Sequence, residues 1–256
     1  LLGLYPGAND NILAVAETKA MKQIQLSVLL FALAVSTTAM ADGRVVDKVY
    51  HPYVQPLERE FEYRALYQRQ SNHPDNNAMA QKIGYGFSIA DNMAVALYLQ
   101  AERVMPDDYT VSGYEAELRW MLTEQGQYSW DWGVLFELEH QQQTDSNEFT
   151  TGLLVEKEFE YTSLTVNALV VYEWGQSMPD ELETEFRLQY RYRYLPAVQP
   201  SIEIYVGENY KGAGPGFMGV HKFSPTKQLK WEAAIVFALD NDTIDHTARF
   251  ALKYEF

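Results

Sequence analysis

The chain has no cysteine in its 256 residues, so neither a disulfide framework nor a thiolate metal site is open to it. Positive charge is scarce: Lys and Arg number 20 against 35 Asp and Glu, a formal net charge of -15. That excludes a nucleic-acid binder, because phosphate backbones require a basic footprint. Histidine is confined to His51, His73, His140, His221 and His246. None stands in H-E-x-x-H or a comparable spacing, so no metal site and no cofactor are expected. Beyond Asp42 no apolar run approaches the roughly 20 residues of a membrane-spanning helix.

The one long apolar stretch lies near the start. Met21 opens MKQIQLSVLLFALAVSTTAMADG, with Lys22 as the basic end, an apolar core from Ile24 to Val35, and Ala39-Met40-Ala41 as a cleavage box. This is the order of a secretory signal peptide, and the core is too short to anchor the chain. Residues 21–41 are therefore expected to be removed, with 1–20 an upstream extension outside the mature protein and Asp42 its first residue.

What the mature part does have is aromatic residues, 18 Tyr and 12 Phe, set into period-two alternation. In LEREFEYRALYQRQ, Leu57, Phe61, Tyr63, Ala65 and Tyr67 share one face, with Glu58, Glu60, Glu62, Arg64 and Gln68 on the other. SLTVNALVVYEWG and LETEFRLQYRYRY repeat the pattern. That period belongs to strands. It predicts twelve of them, near 57–70, 79–89, 93–105, 110–122, 128–141, 147–159, 163–175, 181–194, 199–207, 216–223, 229–240 and 243–256, joined by turn-like segments such as SNHPDNN, VMPDDYT, QQQTDSN and DNDT. The tenth, glycine-rich and without clean alternation, is the least regular.

Alternation fits a soluble sandwich or a membrane barrel, and aromatic placement separates them. With both termini on one side, Trp120, Trp130, Trp132, Tyr192, Tyr194, Trp231, Tyr254 and Phe256 fall at one rim and Trp174 at the other. A sandwich has no reason to sort aromatics in this way, whereas a lipid interface does. The expected fold is an all-β antiparallel transmembrane barrel over 57–256.

The last nine residues, ARFALKYEF, carry the alternation to the final residue. Phe250, Leu252, Tyr254 and Phe256 resemble the C-terminal signal of Gram-negative outer-membrane proteins, the porin-like barrel superfamily. The resemblance implies a cell outer-membrane location, assembly by the barrel-assembly machinery, and contact with outer-membrane lipid and lipopolysaccharide. In size the chain is similar to the twelve-stranded monomeric porins specific for oligogalacturonate, which line the lumen with basic tracks. Here the inward positions carry mostly acid.

The residues assigned to the lumen are Glu62, Arg64, Lys82, Glu102, Glu115, Glu117, Arg119, Glu137, Glu139, Glu156, Glu173, Glu185, Arg187, Arg191, Glu203, Glu232 and Arg249. A ring of carboxylates draws cations into a pore, so the reading is a monomeric passive diffusion channel for small hydrophilic solutes that prefers cations. The same charges can instead pair across strands and fill the lumen, with Arg187, Arg191 and Arg193 beside Glu173 and Glu203. The alternatives are a non-conducting structural or envelope-interaction barrel and, more remotely, a lipid hydrolase using Ser112 and His140 on the lipid-facing surface. Loop acids Asp107, Asp108, Asp240 and Asp242 are read as solvated. Residues 42–56 are read as a lead-in packed beneath the rim. The alternative is a small plug with contacts at Tyr50, His51 and Tyr53; Pro52 and Pro56 rule out only a paired strand.

The ending generates a direct test. Deleting Phe256 or replacing it with Lys should leave export intact but stop membrane assembly, seen as loss of the heat-modifiable barrel from outer-membrane fractions. Unchanged assembly would mean the ending is coincidental.

Overall fold

A computed structural model describes residues 45–69, 78–103, 108–176, 178–239 and 245–256. The expected signal peptide and upstream extension, together with His73, Asp107, Asp240 and Asp242, lie outside these residues. Twelve strands follow in order: β1 (Arg59–Arg69), β2 (Ala78–Ala90), β3 (Met93–Arg103), β4 (Thr110–Met121), β5 (Asp131–Gln141), β6 (Ser146–Glu158), β7 (Thr162–Gly175), β8 (Glu181–Tyr192), β9 (Gln199–Val206), β10 (Lys211–Ser224), β11 (Lys227–Ala238) and β12 (His246–Glu255). Each pairs antiparallel with its sequence neighbours, and β12 returns to β1, so the sheet is a closed barrel.

Closure follows from the surroundings that the outer face demands. Ile83, Leu97, Leu99, Leu138, Leu182, Ile202 and Phe237 are each at least half exposed on the outside, a belt that water does not tolerate. In hydrocarbon an open sheet edge leaves backbone groups unsatisfied at several kcal/mol each, so a ring with no edge is the strand solution. The seam runs from Glu60↔Glu255 to Arg69↔His246. The final residue extends it: the Phe256 N–H donates to the Arg59 carbonyl at 2.9 Å, and the Arg59 N–H donates back at 3.3 Å. The Phe256 ring stacks on Phe61 and Tyr254, with centroids 5.7 and 5.6 Å away. The terminal aromatic is thus part of the seam as well as of the sequence signal.

Both ends of the strand series lie at one end of the barrel, here the terminal rim. At this rim β2–β3, β6–β7 and β10–β11 are joined through 91–92, 159–161 and 225–226 only. The same rim also carries the longer connections 122–130 and 193–198, while the opposite end, the far mouth, carries 70–77, 104–109, 142–145, 176–180, 207–210 and 239–245.

Two local departures from the sequence expectation have physical causes. Strand β10 begins at Lys211, five residues before the expected 216, because KGAGPG pairs with β9 despite its composition. Pro215 lacks the N–H a ladder needs, and pairing to β11 skips Gly214 and Pro215, resuming at Gly216↔Ala234. In β4 the register shifts between Gln100↔Gly113 and Ala101↔Val111, so Ser112 is the extra residue of a bulge. It is fully buried, not lipid-facing as the alternation implied.

The belt gives a stability prediction. Leu97, mid-strand and 57% exposed, changed to Arg should cost about 2–4 kcal/mol of folding free energy in lipid. Urea unfolding of the barrel in vesicles measures it, and a negligible cost would place Leu97 away from the hydrocarbon.

Candidate functional site

The inward face carries an ion-pair lattice centred on Arg64, which is 3% exposed. Its guanidinium donates to Glu62 on its own strand (3.1 Å), to Glu117 of β4 (3.3 Å), to the Tyr98 hydroxyl of β3 (3.0 Å), and to Asp47 and the Tyr50 hydroxyl (3.1 Å each). Tyr98 can lie over β2 because Gly84 has no Cβ; one there would fall inside the ring. Glu117 is also approached by Arg119 at 3.6 Å. Lys82 holds Glu115 at 2.6 Å and approaches Glu139 at 3.8 Å.

Across the seam Arg249 of β12 holds Glu203 of β9 with two nitrogens and donates to Glu232 at 3.0 Å. Glu203 reaches across β10 over Gly216, where any Cβ would crowd its carboxylate. Arg187 pairs with Glu185 at 2.6 Å on its own strand, and Arg191 reaches Glu156 at 3.3 Å. Arg193 pairs with Glu158 at 3.1 Å. The expected pairing of this arginine group with Glu173 and Glu203 is therefore replaced. Side chains two apart on one strand share a face, and Glu203 is taken by Arg249. Glu102 lies next to the end of β3 near the far mouth, opposite Ala80 and Thr110.

Residues 45–56 do not pack beneath the rim. They cross the interior as a strap, from the far mouth to the terminal rim. At the far mouth Val45, Val46 and Val49 pack with Tyr205, Tyr210 and Val236, and Val45 lies against Gly207. Midway the Tyr50 ring rests on Leu135, Leu154 and Leu169 of β5, β6 and β7. Asn167 clamps the Tyr50 main chain: its Oδ1 accepts the Tyr50 N–H at 2.7 Å and its Nδ2 donates to the Tyr50 carbonyl at 2.8 Å. The Tyr50 hydroxyl donates to Glu137 at 2.6 Å. Lys48 pairs with Glu62 at 2.8 Å, and its carbonyl accepts from Arg187 at 3.0 Å.

Nearer the terminal rim His51 meets Glu156 at 2.5 Å, Pro52 passes over Gly133, and Tyr53 donates to Asp131 at 2.8 Å. Ser88 then holds the Gln55 carbonyl. Leu57, with φ of 62°, takes the left-handed conformation that reverses the chain into β1. The two prolines exclude ladder pairing, as expected, yet the polar valences of the strap are met by side chains of the wall. The inward leucines Leu135, Leu154 and Leu169 on three adjacent strands were the available sequence signal that something apolar sits inside.

The ends of the interior differ. At the far mouth Glu148, Glu173 and Glu181 are lateral partners on β6, β7 and β8, with Glu183 and Glu208 nearby in the electrostatic neighbourhood. Among the described residues none of these five forms an ion pair with a base. Glu181 Oε2, Glu183 Oε1 and Glu208 Oε1 are buried without a hydrogen-bond partner. Like charges directly opposite one another are destabilising, so this acid is held at a cost.

Between the strap and the terminal rim lies a cavity of about 400 Å³, bordered by His51, Tyr53, Glu60, Arg119, Lys230 and Lys253. At its edge Glu58, just outside β1, is pushed up to about 8 by burial and by the neighbouring Glu255 carboxylate.

Among the described residues two clusters of carboxylates are close enough to share a cation: Glu58, Glu60 and Glu255, and Glu115, Glu117 and Glu137. Both already face bases, Lys230 and Lys253 in the first and Lys82, Arg64 and Arg119 in the second. The Ser112–His140 pair is not assembled. Ser112 is buried in its bulge, while His140 bonds Asn147 at 3.0 Å and packs its ring 5.1 Å from that of Tyr114.

No family model matches the chain, and no curated relative matches it. Solved structures do. One is a KdgM porin in complex with disordered oligogalacturonate, with 11% identity and a TM-score of 0.51 over 77% of this chain and 98% of that one. Another is an outer membrane channel from Pseudomonas putida F1, with 12% identity and a TM-score of 0.55 over 82% and 98%. The chain therefore has the closed twelve-strand fold of outer-membrane barrels.

The lattice predicts where charge removal costs stability. Arg64→Met leaves Glu62, Glu117 and Asp47 without their shared cation and should lower the unfolding free energy by about 3–5 kcal/mol. Urea titration reads this. A loss below about 1 kcal/mol, the scale of an exposed pair, would show that the hub is solvated.

Proposed function

We propose that the chain is a monomeric outer-membrane channel for small hydrophilic solutes, cation-preferring, and held shut by its own strap. In the proposed orientation the terminal rim faces the periplasm, which its three tight turns at 91–92, 159–161 and 225–226 support, and the far mouth faces outward. The observation that carries the reading is how the interior is stopped. Inward side chains fill an eight-stranded barrel on their own, and a wider ring leaves space. Here a separate piece of chain takes that space, and its displacement would leave a path lined by charged and hydroxyl groups.

What the similar structures are called, a porin and a channel, agrees with this reading. The cation preference rests on Glu148, Glu173, Glu181, Glu183 and Glu208, the acids with no basic partner, and not on the paired Glu115 and Glu117. Unpaired carboxylates at a mouth raise the local cation concentration. The second reading is a non-conducting envelope barrel. It is favoured by the depth of the strap's attachment, in which Asn167 takes both main-chain groups of Tyr50.

Planar-bilayer recording separates the two. The intact chain should conduct rarely, while a chain lacking 45–56, or one carrying Tyr50→Ala with Asn167→Leu, should conduct often and prefer cations. Changing Glu148, Glu173 and Glu181 to Gln in the open form should reduce that preference, and added salt should weaken it as the screening length falls from about 10 Å at 0.1 M. Silence from correctly folded strap variants would favour the envelope barrel.

A further inference from the structure

The cavity between the strap and the terminal rim is charged unevenly, and the unevenness has a direction. Three bases at its border hold carboxylates by direct hydrogen bonds: Lys48 to Glu62 at 2.8 Å, Lys253 to Glu60 at 2.9 Å and Arg191 to Glu156 at 3.3 Å. Arg119 of β4 differs. Among the described residues its one ion pair is with Glu117 at 3.6 Å, a carboxylate that Arg64 already holds at 3.3 Å. Its Nε is buried without a hydrogen-bond partner. Two guanidiniums thus meet one carboxylate.

At the start of β1 the imbalance is reversed. Glu58 and Glu255 share Lys230, which lies 2.5 Å from Glu255, so two carboxyl groups meet one ammonium. Burial and Glu255 push Glu58 up to about 8, the direction given by a missing counter-cation.

The two unbalanced ends lie on one row across the wall. The Ser88 N–H donates to the Glu58 carbonyl at 3.0 Å, Ser88 faces Ala94 on β3, and Ala94 faces Arg119. All four border the cavity. The order is acid, Ser88, Ala94, base, with only short side chains between the charges. Three inter-strand steps of about 4.8 Å put the outer Cα atoms about 14 Å apart along the wall. An extended dipeptide reaches about 7 Å, and a charge-assisted hydrogen bond of about 2.8 Å at each end brings its span to about 13 Å. A single amino acid falls one residue short. The cavity, about 400 Å³, lies within the range of about 300–1,000 Å³ usual for small-ligand sites. Met218 and Val220 of β10 add an apolar border for a side chain.

We infer that this cavity binds a free dipeptide, with the peptide carboxylate on Arg119 and its ammonium between Glu58 and Glu255. The site is built by the inner wall beneath the strap and does not depend on whether the barrel conducts.

Isothermal titration of the folded full chain in detergent micelles tests this, with dialanine set beside N-acetyl-dialanine, dialanine amide and alanine. Dialanine should bind, and each blocked form, lacking one charge, should bind about tenfold or more weakly. Arg119→Gln should remove the preference for dialanine over its amide, and Glu58→Gln should shrink the preference over the acetylated form, with heat-modifiable mobility reporting the fold of each variant. Equal binding of dialanine and its blocked forms, or no binding of dialanine, would overturn the inference, and neither result needs a variant to fold. An undiminished preference over the amide in folded Arg119→Gln would overturn the carboxylate assignment. Alanine binding as tightly as dialanine would overturn the two-residue span. Titration reads binding and not conductance, so each of these outcomes leaves the channel reading to its own test.

Discussion

Arg64 is the interaction on which the interior depends. A guanidinium withdrawn from water must be paired and hydrogen-bonded to be tolerated at all. Its five donors are distributed among β1, β3, β4 and the strap. The wall and the segment that blocks it therefore share one charge balance. Asp47 and the Tyr50 hydroxyl are partners the wall cannot replace from its own residues without rearranging. A strap held this way is neither a loose tail nor a fused part of the core. Its position follows from which valences of the wall are left over.

The seam imposes a second constraint. In lipid the backbone bonds between β1 and β12 have no substitute, since no water competes for them. Phe256 joins that seam through both of its main-chain groups and its ring. One residue thus closes the ladder and ends the motif that resembles an assembly signal. The strap leads directly into β1 through Leu57, so the element that is enclosed and the element that closes over it are covalent neighbours.

The barrel was legible because period-two alternation is local. Each strand reports its own faces, and REFEYRALYQR alternates in burial as its residues alternate in polarity. Boundaries failed where backbone chemistry overrode pattern. Pro215 and its glycines read as a turn but pair with β9, and the Ser112 bulge turns inward a residue that simple parity turns outward. The strap was not legible as a lumen element because its partners, Asn167, Arg187, Glu137 and Glu156, lie on strands distant in sequence. Nothing in VYHPYVQP distinguishes a proline-rich segment held by them from one lying under a rim. The inward leucines 135, 154 and 169 hinted at an apolar guest without naming it.

The distribution of charge divides one face of one sheet into acid that is paired with bases and acid that is not. Counting inward acids alone suggests a uniformly negative pore, but the central ones are consumed by Arg64, Lys82, Arg187 and Arg249. A paired carboxylate presents little net field beyond its partner, whereas a row of unpaired ones does. Glu148, Glu173 and Glu181 sit opposite one another where the ladder would prefer any other arrangement. Stability gives no reason for that row, since Gln at any of the three would remove the repulsion and keep the hydrogen-bonding capacity. The row stands at the mouth where the strap's free end is latched. Under the proposed cation preference, an ion entering from that side meets the unpaired acid before it meets the strap, and attraction and obstruction would act in series at the end where Val45, Val46 and Val49 are packed.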